Sequence, residues 1–114
     1  ISKLFTNYYP APSLLHGDLW TGNWASDPEG NPIVFDPACY YGDRETDIAM
    51  TELFAGFRQD FYDAYNSVNP IDKGYVERKS VYNLYHILNH FNIFGVSYEQ
   101  QASDLIQKSL SAIR

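Results

Sequence analysis

The sequence holds a single cysteine, Cys39, among 114 residues. No disulfide can form within the chain, and a reducing, cytoplasmic setting is expected. Positive charge is scarce: 8 Lys and Arg face 14 Asp and Glu, a formal net charge of −6. That balance argues against binding nucleic acid or an anionic membrane through a basic face. It still admits a nucleotide, whose charge a metal can neutralise locally. No run approaches the roughly 20 apolar residues that a membrane-spanning helix needs, and no signal-peptide pattern opens the chain. The first residue is Ile1 rather than Met, which reads as the interior of a longer protein.

Aromatic residues are abundant, at 17% with ten tyrosines, and 114 residues suffice for one small domain with a core. Residues 1–13, with Pro10 and Pro12, read as irregular. Leu14-Leu15 is a short apolar run. Residues 23–26 and the β-branched and aromatic stretch 33–35 read as the strands of a hairpin, joined by the turn-forming residues 27–32. Tyr40-Tyr41-Gly42 reads as a loop, after which the pattern turns helical over 45–54, 60–66, 74–94 and a final helix. In the third helix Val81, Leu84, Leu88 and Phe91 fall at inner-face spacing, with Gly95 as the stop. In the last, Ser97 and Gln100 form a candidate capping box, and Ala102, Leu105, Ile106 and Ile113 a buried stripe. The expected class is α+β, mostly α: one domain over 1–114, with a small hairpin beside the chemistry.

That chemistry sits in His16-Gly17-Asp18-Leu19-Trp20-Thr21-Gly22-Asn23 and in Asp36, 18 residues after Asp18. Alone, Asp18 reads as a turn former. A carboxylate, an amide five residues on and a second carboxylate after a hairpin together suit phosphoryl transfer. The first Asp orients or deprotonates the acceptor hydroxyl, and the Asn and second Asp offer hard oxygen ligands to Mg²⁺. His16 reads as packing beneath the loop and fixing its shape, with base or metal ligand as the alternative. Asp47, in the first turn of a helix, is favoured there by the dipole or reaches back to loop amides. Arg44 and Glu45 read as surface charges, or as a pair with each other or with substrate. His86 and His90 have a zinc-compatible i, i+4 spacing but no third ligand, and read as a polar seam. Cys39 reads as a packing residue. Tyr40 and Tyr41 line a polyol pocket or pack.

Four stretches carry a resemblance: residues 16–23; Phe35-Asp36-Pro37-Ala38-Cys39-Tyr40-Tyr41-Gly42; Arg44-Glu45-Thr46-Asp47-Ile48-Ala49-Met50-Thr51; and Tyr85-His86-Ile87-Leu88-Asn89-His90-Phe91-Asn92 with Phe94-Gly95. Over roughly residues 13 to 110 the chain resembles the fructosamine (ketosamine) kinases, of the aminoglycoside-phosphotransferase and protein-kinase-like superfamily. The resemblance implies the helical C-terminal lobe of a kinase-like fold. It implies ATP- and Mg²⁺-dependent phosphorylation of a sugar hydroxyl on a small or protein-bound ketosamine. Asp18 matches the catalytic base, Asn23 and Asp36 the metal and cofactor ligands, and Asp47 the residue steadying the loop.

The N-terminal nucleotide lobe has no counterpart here: no G-x-G-x-x-G occurs, and no lysine lies on a strand followed by a helical glutamate. The chain alone is therefore expected to be inactive, with that lobe as its partner and the surface facing it apolar in part. Two alternatives stay open. One is a kinase of the same fold for another acceptor, such as choline, homoserine or an aminoglycoside. The other is a non-catalytic binding domain.

Overall fold

The computed structural model describes residues 1–114. They form two compact units: Pro10–Ile71, and a second made of Ile1–Tyr9 with Asp72–Arg114. No helix is long and apolar enough to cross a membrane.

In the Pro10–Ile71 unit, two small antiparallel sheets flank the loop of residues 16–23. Strand β1 (Ser13–Leu15) pairs with β4 (Tyr40–Gly42), Leu15 opposite Tyr40. Strand β2 (Trp24–Ser26) pairs with β3 (Pro32–Val34), Trp24 opposite Val34. The second sheet is the expected hairpin, shifted so that Pro32 opens β3 and Phe35 lies beyond it. Its turn is stapled by Asp27, whose carboxylate accepts the Asn31 backbone N–H at 2.8 Å and the Asn31 amide at 3.0 Å. The side-chain bond from Asn31, then its backbone bond, hold the Asp27 carboxyl below its ordinary range. The first sheet was not expected: Tyr40–Gly42 is a strand, not a loop, because Leu14-Leu15 supplies an edge for two tyrosines that favour extended backbone.

Helix α1 (Glu45–Thr51) turns Ile48, Ala49 and Met50 into the core with Leu15. It stops before Phe54 because Thr51 turns back on its own helix, its hydroxyl donating to Ile48 O at 2.6 Å. The Tyr62 hydroxyl, on α2 (Gln59–Val68), meets Thr51 Oγ1 at 2.9 Å and accepts the Phe57 N–H, tying the two helices and their connection. Arg44 and Glu45 are not solvated surface charges. Glu45 is 1% exposed and Arg44 is half-buried. The Arg44 guanidinium donates to the Tyr65 hydroxyl (3.0 Å), Asn69 O (3.0 Å) and Pro70 O (2.6 Å), pinning the far end of α2. Ile33, Val34 and Phe35 remain exposed.

In the second unit, α3 (Tyr75–Phe94) and α4 (Glu99–Ala112) pack as a helical hairpin. Gly95, at φ 90°, ends α3, its N–H bonding Phe91 O at 2.8 Å, and a 3₁₀ turn at Val96–Tyr98 leads into α4. That turn occupies Ser97, so the expected capping box does not form, and α4 begins without a side-chain cap. Ile87 and Ala102 are buried, whereas Leu88 and Ile106, expected inside, are exposed. The inner stripe of α3 is Tyr75, Arg78, Asn83 and Ile87, one residue out of phase with the expected one because it includes polar groups. Residues Ser2–Phe5 form a 3₁₀ turn where irregular chain was expected. Arg78, 3% exposed, holds this segment: it donates to Leu4 O at 3.4 Å, pairs with Asp72 at 2.6 Å and lies 3.6 Å from the Tyr8 ring centroid.

The bond from Arg78, then that from the Gly74 N–H, keep the Asp72 carboxyl below its ordinary value of 3.8. Its stabilising effect is therefore complete above that value and is lost as pH falls through the depressed folded one. Arg78→Ala is expected to lower stability by about 2 kcal/mol through lost charged hydrogen bonds and stacking. It should also flatten the fall in melting temperature below roughly pH 4. Thermal denaturation across pH checks both, and equal acid slopes would separate Asp72 from the effect.

Candidate active site

The loop between β1 and β2 is fixed first at its start. Asp47 projects from the first turn of α1, and its carboxylate accepts two backbone bonds: His16 N–H to Oδ2 at 2.7 Å and Gly17 N–H to Oδ1 at 2.9 Å. Two parallel bonds to an ionised acceptor are stronger and more directional than neutral ones. They fix the peptide just ahead of Asp18. Gly17 has no alternative here. Its φ is +85°, and a Cβ would come within 2.0 Å of Ala38 O. That close approach continues in the Ala38 N–H bond to His16 O at 2.8 Å, so residues 36–38 are clamped against 16–17.

His16 joins the same two segments through its ring. The Asp18 backbone N–H points at Nδ1, at 3.2 Å, and Nε2 lies 2.8 Å from Phe35 O. The Asp18 N–H pointing at Nδ1 calls for a lone pair there, which leaves Nε2 to donate to Phe35 O. The imidazole thus bridges the backbone of Asp18 and that of the residue preceding Asp36.

Asn23 is 6% exposed and turned toward Asp18: its amide nitrogen donates to Asp18 O and to Asp18 Oδ2, each at 2.9 Å. Its own carbonyl accepts the Phe35 N–H at 3.1 Å. Asp36 is exposed and sits at φ 53°, a left-handed conformation uncommon outside glycine and best tolerated, among other residues, by asparagine and aspartate. Backbone and ring bonds thus join the segment before Asp36 to the loop that holds Asp18 and Asn23, and Asp47 fixes the start of that loop.

No group of three or more His, Cys, Asp or Glu side chains in the chain could hold a metal ion. A cation at this loop would rest on the Asp36 carboxylate and the Asn23 amide oxygen. Both are hard donors and fit Mg²⁺, which binds through one or two carboxylates and takes its remaining ligands from water and phosphate. His86 and His90 lie in the other unit. There the His90 ring turns back to His86 O at 2.7 Å and packs against Phe94 and Tyr98. Cys39 is exposed rather than packed. Sequence reasoning missed Phe35 O and Ala38, which act through the backbone. Only the need for glycine at position 17 hinted that another segment passes so close.

The family model described as fructosamine kinase matches residues 1–112. A Vibrio parahaemolyticus protein named "Probable ketoamine kinase" is 60% identical over 111 residues, covering 97% of this chain and 38% of its own length. The Arabidopsis thaliana "Protein-ribulosamine 3-kinase, chloroplastic" is 46% identical over 114 residues, covering 100% of this chain and 35% of its own length. The crystal structure of a "Putative fructosamine-3-kinase" from Haemophilus somnus 129PT superposes with a TM-score of 0.86 at 39% identity, over 96% of this chain and 38% of that one. The chain thus spans little more than a third of the length of these proteins. Its architecture is the expected one, mostly helical with small antiparallel sheets, matching the C-terminal lobe of a kinase-like fold. Sequence and fold agree: the chain belongs to the fructosamine kinase family.

Proposed function

We propose that this chain is the acceptor- and metal-binding lobe of a cytoplasmic, ATP-dependent kinase that phosphorylates a sugar hydroxyl on a ketosamine, a sugar joined to an amine by glycation. The observation that carries the reading is the Asp18–Asn23 pair, held by the loop that Asp47 braces. The names of its relatives support the same substrate class. The nucleotide roof belongs to an N-terminal lobe, and the C-terminal lobe on its own is inactive.

Asn23 occupies one oxygen of the Asp18 carboxylate and so fixes its rotamer, which leaves Oδ1 to accept the proton of the acceptor hydroxyl. The acceptor oxygen bonds to the γ-phosphorus, the bond from that phosphorus to the β,γ-bridging oxygen breaks, and ADP leaves. Asn23 Oδ1 and Asp36 would hold Mg²⁺, which would supply positive charge to offset that of the phosphates. His16 transmits the position of Asp18 to the segment that follows β3 and bears Asp36, so acceptor and phosphate sides keep one spacing.

In the full-length protein, Asp18→Asn is expected to lower kcat by about 10²–10⁴-fold with an unchanged melting midpoint. Ketosamine-dependent ADP release at the wild-type rate would overturn the assignment. Asp47→Asn replaces one accepting oxygen with an NH₂ group facing a backbone N–H. Thermal denaturation is expected to register a loss of about 1–3 kcal/mol. Steady-state kinetics should show kcat falling at least about tenfold, because a small displacement of a catalytic group is costly. Unchanged stability and rate together would remove Asp47 from the loop's support.

A further inference from the structure

Arg44 plays no part in the chemistry above, and its geometry leaves something over. Its partners are the Tyr65 hydroxyl and two backbone carbonyls, with the Tyr65 ring 5.5 Å from the guanidinium carbon. None of them carries negative charge. A guanidinium has five N–H donors. Nη1 donates to Tyr65 and Asn69, and Nη2 donates to Pro70. Nε–H makes none of these bonds, and Nη2 carries two hydrogens for its one acceptor. Nε and Nη2 share the guanidinium edge that grips a carboxylate or phosphate with two parallel bonds.

Arg44 also lines a cavity of about 330 Å³ that lies wholly within the Pro10–Ile71 unit. Aliphatic and aromatic groups, among them Leu14, Leu19, Phe61 and Tyr65, form much of its wall, and Asp47 is its other charged residue. The volume falls at the small end of the range, roughly 300–1,000 Å³, in which proteins hold small molecules. Asp47 spends both oxygens on backbone N–H groups but remains an anion in the wall. It tolerates one negative charge gripped by Arg44 better than two, which favours a carboxylate over a phosphate dianion.

We propose that this cavity is a second binding site, for a small monocarboxylate with an apolar or aromatic body. The carboxylate sits on the free edge of Arg44 and the body rests against the leucines and rings. An occupant there touches Leu19, next to Asp18, and Asp47, the loop's brace. The site stands on Arg44 and the cavity, independently of whether the loop transfers phosphate.

The test is a titration of the protein with phenylacetate, followed by backbone amide NMR. Saturable shifts are expected at Leu19 and Arg44. Phenylacetamide, the neutral isostere, and inorganic phosphate should each bind at least about tenfold more weakly. Arg44→Lys removes the fork but also disturbs the end of α2. Leu14→Glu, at an exposed position on the cavity wall, therefore serves as the second variant. It should weaken phenylacetate at least about tenfold by like charge while leaving the rest of the spectrum in place. No saturable shift up to about 20 mM phenylacetate, a concentration that detects even millimolar binding, would overturn the proposal. So would amide or phosphate binding as tight as phenylacetate, or a Leu14→Glu protein that binds it unchanged.

Discussion

The carboxylate of Asp47 is the fixed point of the Pro10–Ile71 unit. It sits on α1, whose inner face is the core, and reaches backbone N–H groups about thirty residues earlier in the chain. A loop of this length has little to hold it otherwise, since its flanking strands have three residues each. The conformational entropy of ordering such a loop runs to about 1–2 kcal/mol per residue, and a pair of charge-assisted bonds offsets only part of it. The remainder is shared among the Ala38 contact, the His16 ring and the Asn23 amide. Each depends on the peptide at 16–17 being where Asp47 puts it. The hierarchy runs from core to helix to brace to loop, and only at its end does the Asp18 carboxylate appear.

How much of this the sequence shows depends on the distance over which a residue acts. The hairpin, the four helices and the Gly95 stop are visible because periodicity, turn chemistry and glycine act within a few residues. The Tyr40–Gly42 strand is not, because it exists only through its pairing with Ser13–Leu15. The inner face of α3 is shifted because Arg78 and Asn83, polar by composition, are buried by their surroundings. Residues Asp18, Asn23 and Asp36 could be picked out by spacing, but the atoms that join them are largely main-chain, and main-chain atoms carry no sequence signature. Arg44 and Glu45 illustrate the opposite error. Charged residues at a helix start suggest solvent, and here one is buried and the other is spent on the end of α2.

Each unit also relies on one arginine to close a gap along the chain. Arg44 reaches carbonyls 25 and 26 residues later, and Arg78 reaches Leu4 across 74 residues. Both bond backbone oxygens that no secondary structure satisfies, and both use an aromatic ring as a platform, Tyr65 and Tyr8. The planar guanidinium suits this because it stacks and donates at once, which an ammonium does less well. They differ in their counter-ion. Arg78 has Asp72, whereas Arg44 bonds only uncharged groups.

The brevity of the strands has a consequence for how the protein behaves in a crowded solution. Every strand here belongs to a two-stranded sheet, so each has one unpaired edge beside exposed apolar side chains such as Ile33, Val34 and Tyr41. Long edges of that composition recruit further strands and seed fibrils. Three residues give a templating strand too few ladder bonds to hold it, and Pro32 removes a donor from the edge of β3 at its first position. The geometry that keeps the hairpin apolar and open therefore also keeps it from propagating.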